Sequence, residues 1–299
     1  MKRLWSKNTQ IIVSLAGTAV LVSWVLSQVD VTLVRGMFDG SQWHWFAFAL
    51  LLIPVQIVVA SIRWCDISND LGLPMSHGEA VREFGLSALL NQVLPGGMVG
   101  DGVRVWRQRV QHGELGQPLR AAVVDRAIGQ LAQVMVTLFG LVLWVFVHPQ
   151  SPPLVAWLVA FGMLMFMGSM WVWPLPGLRG LIGDAKQALN SGKRRLRHTM
   201  LSLGLMGLFL LCFWCCAQAL DLPLGIETLT AIPLLMLALI LPVSVGGWGL
   251  REVSATAVLG TLGWTVEQSV ALSAAYGLVN LAGMSPAALV LLRRPGGAA

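Results

Sequence analysis

The sequence has 299 residues, of which 56% are hydrophobic and 11% charged, with a formal net charge of +6. A soluble domain carries about 25% charged residues, so the composition excludes an ordinary water-soluble globule. The basic residues lie between apolar runs, which excludes a nucleic-acid footprint and reads as membrane topology with contacts to anionic lipid headgroups.

In chain order, a short basic start precedes an uncharged run over residues 9–29. That run is long enough to cross ~30 Å of hydrocarbon. It is long for the apolar core of a signal peptide, and no small-x-small cleavage site follows it. It is therefore read as the first transmembrane helix. Residues 43–62 form the second, with Trp43 and Trp45 suited to an interface. Residues 63–83 are polar, and residues 84–99 are apolar and run into a Gly-rich stretch. Residues 101–126 are strongly basic. Residues 128–147 and 154–173 span, separated by a turn that lacks Lys and Arg. A basic loop over 174–198 precedes a span over 199–220. Residues 229–245 lead into a second Gly-rich stretch, residues 252–264 suit a return helix, and residues 266–292 close the membrane part.

The two Gly-rich stretches organise the chain. Leu94-Pro95-Gly96-Gly97-Met98-Val99-Gly100-Asp101-Gly102-Val103-Arg104 and Leu241-Pro242-Val243-Ser244-Val245-Gly246-Gly247-Trp248-Gly249-Leu250-Arg251 share five of eleven positions at an offset of 147. Glycine is common here and chance supplies some of that agreement, but Pro and Arg are harder to match. Neither stretch suits an unbroken helix, because proline removes a donor and glycine disfavours the helical state. Broken apolar segments in corresponding halves of a membrane protein point to a binding site.

Charge decides whether the broken segments cross. If both enter and leave on one side, with the N-terminus cytoplasmic, 18 basic residues face the cytoplasm and only Arg35 and Arg251 face outside. If both cross, the split becomes 7 to 13. The first arrangement obeys the positive-inside rule. The expected fold is thus all-α and integral to the membrane: a polytopic bundle of six full spans plus two re-entrant segments. It forms a single domain, 1–299, of two inverted structural repeats, about 1–148 and 149–299.

The motif chemistry points to an anion. Gly100, Gly102, Gly246, Gly247 and Gly249 let backbone approach a ligand, and N–H groups at such a break form an anion nest. Arg104 and Arg251 follow the breaks with a fork suited to phosphate. Arg104 also reads as a cytoplasmic anchor beside Arg107 and Arg109, and Glu252 is a ready partner for Arg251. Asp101, Asp125 and Arg126 are further ionisable groups beside membrane segments, where such groups default to functional hypotheses. Asp125 and Arg126 also read as a pair at the cytoplasmic boundary. Asn91, Gln130, Gln133, Gln218, Tyr276 and Asn280 are polar residues inside spans, and Tyr276 and Asn280 lie one turn apart on a face suited to a cavity.

Other chemistry lacks support. The five His are scattered without metal-ligand spacing. No Walker loop appears. Cys65, Cys212, Cys215 and Cys216 read as small apolar residues rather than a disulfide framework. The expected cofactor is none.

The paired motifs resemble the lysylphosphatidylglycerol synthase transmembrane-region family. Leu94-Pro95 through Gly100-Asp101 and Arg104 is similar to that family's Leu-Pro…Gly-acid-x-x-Arg. Gly246-Gly247-Trp248-Gly249-Leu250-Arg251-Glu252 is similar to its Gly-Gly-x-Gly-x-Arg-Glu, and Asp125-Arg126-x-x-Gly129 to its acid-Arg pair. The resemblance implies a flippase-like protein of the bacterial inner membrane and leaves its cargo open; the charge split puts both termini in the cytoplasm, and the lack of a catalytic constellation reads as no enzyme. Its soluble aminoacyltransferase partner domain is expected to be missing, since the sequence ends at Ala299. The implied partner is a membrane lipid, an anionic phospholipid or a polyprenyl-phosphate-linked glycan. The substrate-binding set expected on this reading comprises Pro95, Gly100, Asp101, Gly102, Arg104, Asp125 and Arg126 from the first half, and Pro242, Gly246, Gly247, Gly249, Arg251 and Glu252 from the second. The rival expectations are a scaffold for a membrane enzyme partner, such as a glycosyltransferase or lipid synthase, and a membrane-embedded lipid-modifying enzyme.

Overall fold

A computed structural model describes residues 19, 22–23, 27, 30–94, 98–113, 115–147, 183–185, 187–222, 224–237 and 244–292. The expected span 154–173 and all but four residues of the expected span 9–29 lie outside the described residues, as do Pro95 and Pro242. All regular elements described are helices: α1 (Val31–Asp39), α2 (Trp43–Asp70), α3 (His77–Val93), α4 (Val99–His112), α5 (Gly116–Val147), α6 (Gly192–Ala219), α7 (Ile226–Leu237), α8 (Leu250–Gly260) and α9 (Val266–Met284), continued by a 3-10 turn, Ser285–Leu292. Among the described residues, four helical stretches are long and apolar enough to cross a membrane: Trp43–Asp70, Gly116–Phe146, Gly192–Ala219 and Val266–Leu289.

Local sequence explains the boundaries. Ser76 caps α3 and Glu79 returns the bond to the Ser76 N–H, a capping box. Thr265 and Gln268 do the same for α9. Gly113 closes α4 in the left-handed conformation, φ 79°. Where the basic loops were expected, the chain is largely helical. Residues 101–126 form most of α4 and the first turns of α5, and α6 starts at Gly192 inside the expected loop. Hydropathy misses such segments because a charged helical end has no apolar run. The end of α2 and the start of α6 are joined by ion pairs, Arg194 to Asp70 at 3.0 Å and Arg197 to Asp66 at 2.7 Å.

The core lies where α2, α6, α7, α8 and α9 meet. Phe213 stacks on Tyr276 with ring centroids 3.8 Å apart, and Ile53, Cys212, Cys216, Leu235 and Leu259 are buried around them. Helix α7 packs on α5 almost backbone to backbone. A Cβ on Gly140 would lie 2.7 Å from the Thr230 carbonyl oxygen. Gln133 Nε2 and Thr137 Oγ1 both donate to the Pro233 carbonyl, at 2.8 and 3.1 Å. Phe139 and Phe146 project outward from α5, the pattern of a face that meets lipid rather than water.

Candidate functional site

The first break turns the chain back on itself. Leu94, which precedes Pro95, is extended at φ −100°, ψ 145°, the conformation a following proline imposes. Helix α4 then runs antiparallel to α3: Arg104 lies over Phe84, and Arg107 pairs with Glu83 through two bonds of 2.6 and 2.9 Å. Gly100 makes the close approach feasible, since a Cβ there would lie 1.9 Å from the Ser87 carbonyl oxygen. Its N–H donates to Asn91 Oδ1 at 2.8 Å.

This hairpin delivers Asp101 and Arg104 into a shared ionic network. Arg104 is buried with its guanidinium between Trp64, 4.5 Å from the ring centroid, and Phe84, 5.0 Å. Its Nη2 is 3.1 Å from Asp101 and its Nη1 3.5 Å from Asp125. Asp125, from α5, also accepts a 2.9 Å bond from Arg63 Nε, and Arg63 Nη1 donates to Ser202 of α6 at 3.0 Å. Arg126 pairs with Asp101, which also accepts from Ser87 Oγ at 3.2 Å. Asp125 and Arg126 therefore serve different partners, which corrects the boundary-pair expectation. Neighbours on a helix point some 100° apart and do not face each other.

The second break is built differently. Gly246, Gly247 and Gly249 have φ of 55°, 80° and 81°, a conformation that favours glycine. The Gly249 N–H donates to Glu252 Oε2 at 2.6 Å and so caps α8. Arg251 Nη2 donates to Glu252 Oε1 at 3.0 Å, and its Nε donates to Ser273 Oγ of α9 at 3.0 Å. Its guanidinium lies 4.6 Å over Trp248. A Cβ on Gly277 would lie 2.1 Å from Arg251 Nη2, so glycine on α9 makes the room for this side chain.

The two breaks meet. A Cβ on Gly246 would lie 2.1 Å from the carbonyl oxygen of Gln92, one residue before the end of α3. Asp101 and Arg104 from the first break, and Gly246, Gly247 and Arg251 from the second, line one cavity of about 390 Å³. Arg63, Asp125, Arg126, Gln133, Tyr276 and Asn280 complete much of its wall.

Several glycines have other duties than the expected backbone nest. The Gly100 and Gly249 N–H groups are taken by Asn91 and Glu252, and the Gly102 N–H by the Met98 carbonyl. Gly102 has open space where a Cβ would stand. Helix starts need their free N–H groups satisfied, and here the protein satisfies them itself. Charge in the cavity is supplied by side chains, and Glu252 acts through Arg251 and Gly249. Arg63 escaped the sequence reading, which ended the second span at residue 62. The helix runs eight residues further, and the signal was the apolar trio Trp64, Cys65 and Ile67 around a single Arg.

The family described as lysylphosphatidylglycerol synthase TM region matches residues 11–287 of the chain. A search of the curated proteins found no match.

Proposed function

The chain belongs to the lysylphosphatidylglycerol synthase transmembrane-region family, a multi-pass membrane protein of lipid-related, flippase-like type, and on that premise we propose that it moves a lipid with an anionic phosphate headgroup between leaflets. One observation carries the reading: Arg104 and Arg251, one behind each break, line the same cavity. Guanidinium groups hold phosphate through parallel N–H bonds. Both are already held by carboxylates, Asp101 and Glu252, so a headgroup phosphate joins a network in which each buried guanidinium stays paired, which limits the cost of a charge at membrane depth.

In this reading the two halves are inverted repeats. The correspondence of α2 with α6, the α3–α4 hairpin with α7–α8, and α5 with α9 supports it, as does the packing of α2 against its counterpart α6. Gly129 beside Arg63 and Gly277 beside Arg251 fall at an offset of 148, next to the motif offset of 147. Both termini are cytoplasmic and the membrane is the bacterial inner membrane. Cysteines introduced at Ser151 and Glu227 label from outside intact cells and one at Ser191 does not. Labelling at Ser191 from outside would overturn the inversion.

The functional test uses proteoliposomes loaded with fluorescent phosphatidylglycerol and quenched from outside. Arg251→Ala abolishes lipid movement while the protein still elutes as a folded species. Arg251→Lys recovers it in part, because a point charge lacks the fork. Wild-type movement by Arg251→Ala would show that Arg251 is a structural anchor.

A further inference from the structure

The buried charges of the cavity do not cancel. Arg63, Arg104 and Arg251 are each more than nine-tenths buried, and so are two of the acids that pair with them, Asp125 and Glu252; the third, Asp101, is 3.1 Å from Arg104 and part-exposed. Three buried positive charges thus face two negative ones. At the rim, Arg126 and Asp101 are 29% and 21% exposed and pair with each other. The side chains of the site thus sum to one uncompensated positive charge, with Glu252 counted through its pairing with Arg251. Besides these, the only ionisable side chain described along the cavity is the phenol of Tyr276. Arg104 Nε and Nη1 have no hydrogen-bond partner among the described residues, the contact of Nη1 to Asp125 being an ion pair at 3.5 Å.

We infer that the headgroup this cavity takes carries a single net negative charge, as a phosphodiester does. The inference rests on the reading that the cavity holds a lipid headgroup, and it narrows the cargo. A neutral, zwitterionic headgroup leaves the surplus charge in place. An aminoacylated headgroup of net positive charge adds to it. A diphosphate overshoots to net negative. Each leaves a net charge in a low-dielectric site, where it is expensive.

The test is a series of fluorescent lipids in proteoliposomes of the full chain: phosphatidylglycerol, phosphatidylethanolamine, lysylphosphatidylglycerol and a polyprenyl diphosphate. Phosphatidylglycerol moves faster than each of the others by about tenfold or more. Equal rates, or a faster diphosphate or lysylated lipid, overturn the charge assignment and leave the cavity as a headgroup site. Movement of none of them overturns both. Glu252→Gln raises the buried charge by one and shifts the preference toward the diphosphate by about tenfold. Asp101→Asn makes the same change at the part-exposed rim of the cavity and replaces it if the first variant does not fold. An unchanged ranking in a folded variant sinks the inference.

Discussion

The two sides of the cavity solve the same problem in different ways. On the side of the second break, Arg251 is held by its own neighbour Glu252 and by Ser273, so the arrangement belongs to α8 and α9 alone. On the side of the first break, each acid serves two guanidinium groups, and the chain of contacts runs from Ser202 on α6 through Arg63 on α2, Asp125 on α5, Arg104 and Asp101 on α4, to Arg126. A local pair moves with its helix pair as one piece. A shared network cannot: displacement of any of four helices changes its geometry. A shift of α2, α4, α5 or α6 therefore disturbs the first side, whereas the second side moves with α8 and α9.

Removing Asp125 separates the two sides most sharply. Asp125→Ala leaves Arg63 and Arg104 buried without their common partner, and breaking a buried pair costs about 3–5 kcal/mol. Thermal unfolding in detergent checks the loss. A shift no larger than that of a surface substitution would show that the network is not a structural element.

Glycine substitutions give the next largest effects. Gly100→Ala drives a methyl group into the Ser87 backbone, which cannot rotate away, and overpacking of this kind costs about 1–3 kcal/mol. Gly102→Ala, two residues on and open on all sides, leaves stability unchanged apart from the small helical gain of alanine. Equal effects from the pair would mean that α3 and α4 are not in close contact.

Gly277→Ala gives a smaller change in stability than Gly100→Ala and is the most informative about function. The atom it meets is the far end of a flexible side chain, so Arg251 shifts and the fold survives. A displacement of about 1 Å at a reacting or binding group can cost about a hundredfold in rate. Lipid movement therefore falls steeply while the unfolding temperature barely changes. Gly129→Ala, whose Cβ would lie 3.0 Å from Arg63 Nη2, has a milder version of the same effect.

Both breaks and their arginines were legible in the sequence because Pro and several Gly cluster at each; a lone Pro is no such signal, since Pro54 lies inside α2 and Pro233 inside α7. The ionic wiring was not. Asp125 and Arg126 are adjacent in sequence yet serve partners on different helices, and only tertiary packing decides which. Arg63 was invisible for a related reason: a basic residue after an apolar run normally marks a membrane boundary, and here a helix continues past it with three buried apolar neighbours. The glycines misled in another way. Their spacing suggests backbone open to a ligand, but Gly100 and Gly246 are small because other backbone lies against them.

The contact of Gly246 with the Gln92 carbonyl has a further meaning. Two side chains in contact have rotamers, and a small push between them is absorbed by reshuffling those rotamers. A glycine against a peptide carbonyl has no rotamers to reshuffle, so a displacement of the end of α3 must be met by the backbone of the turn before Arg251.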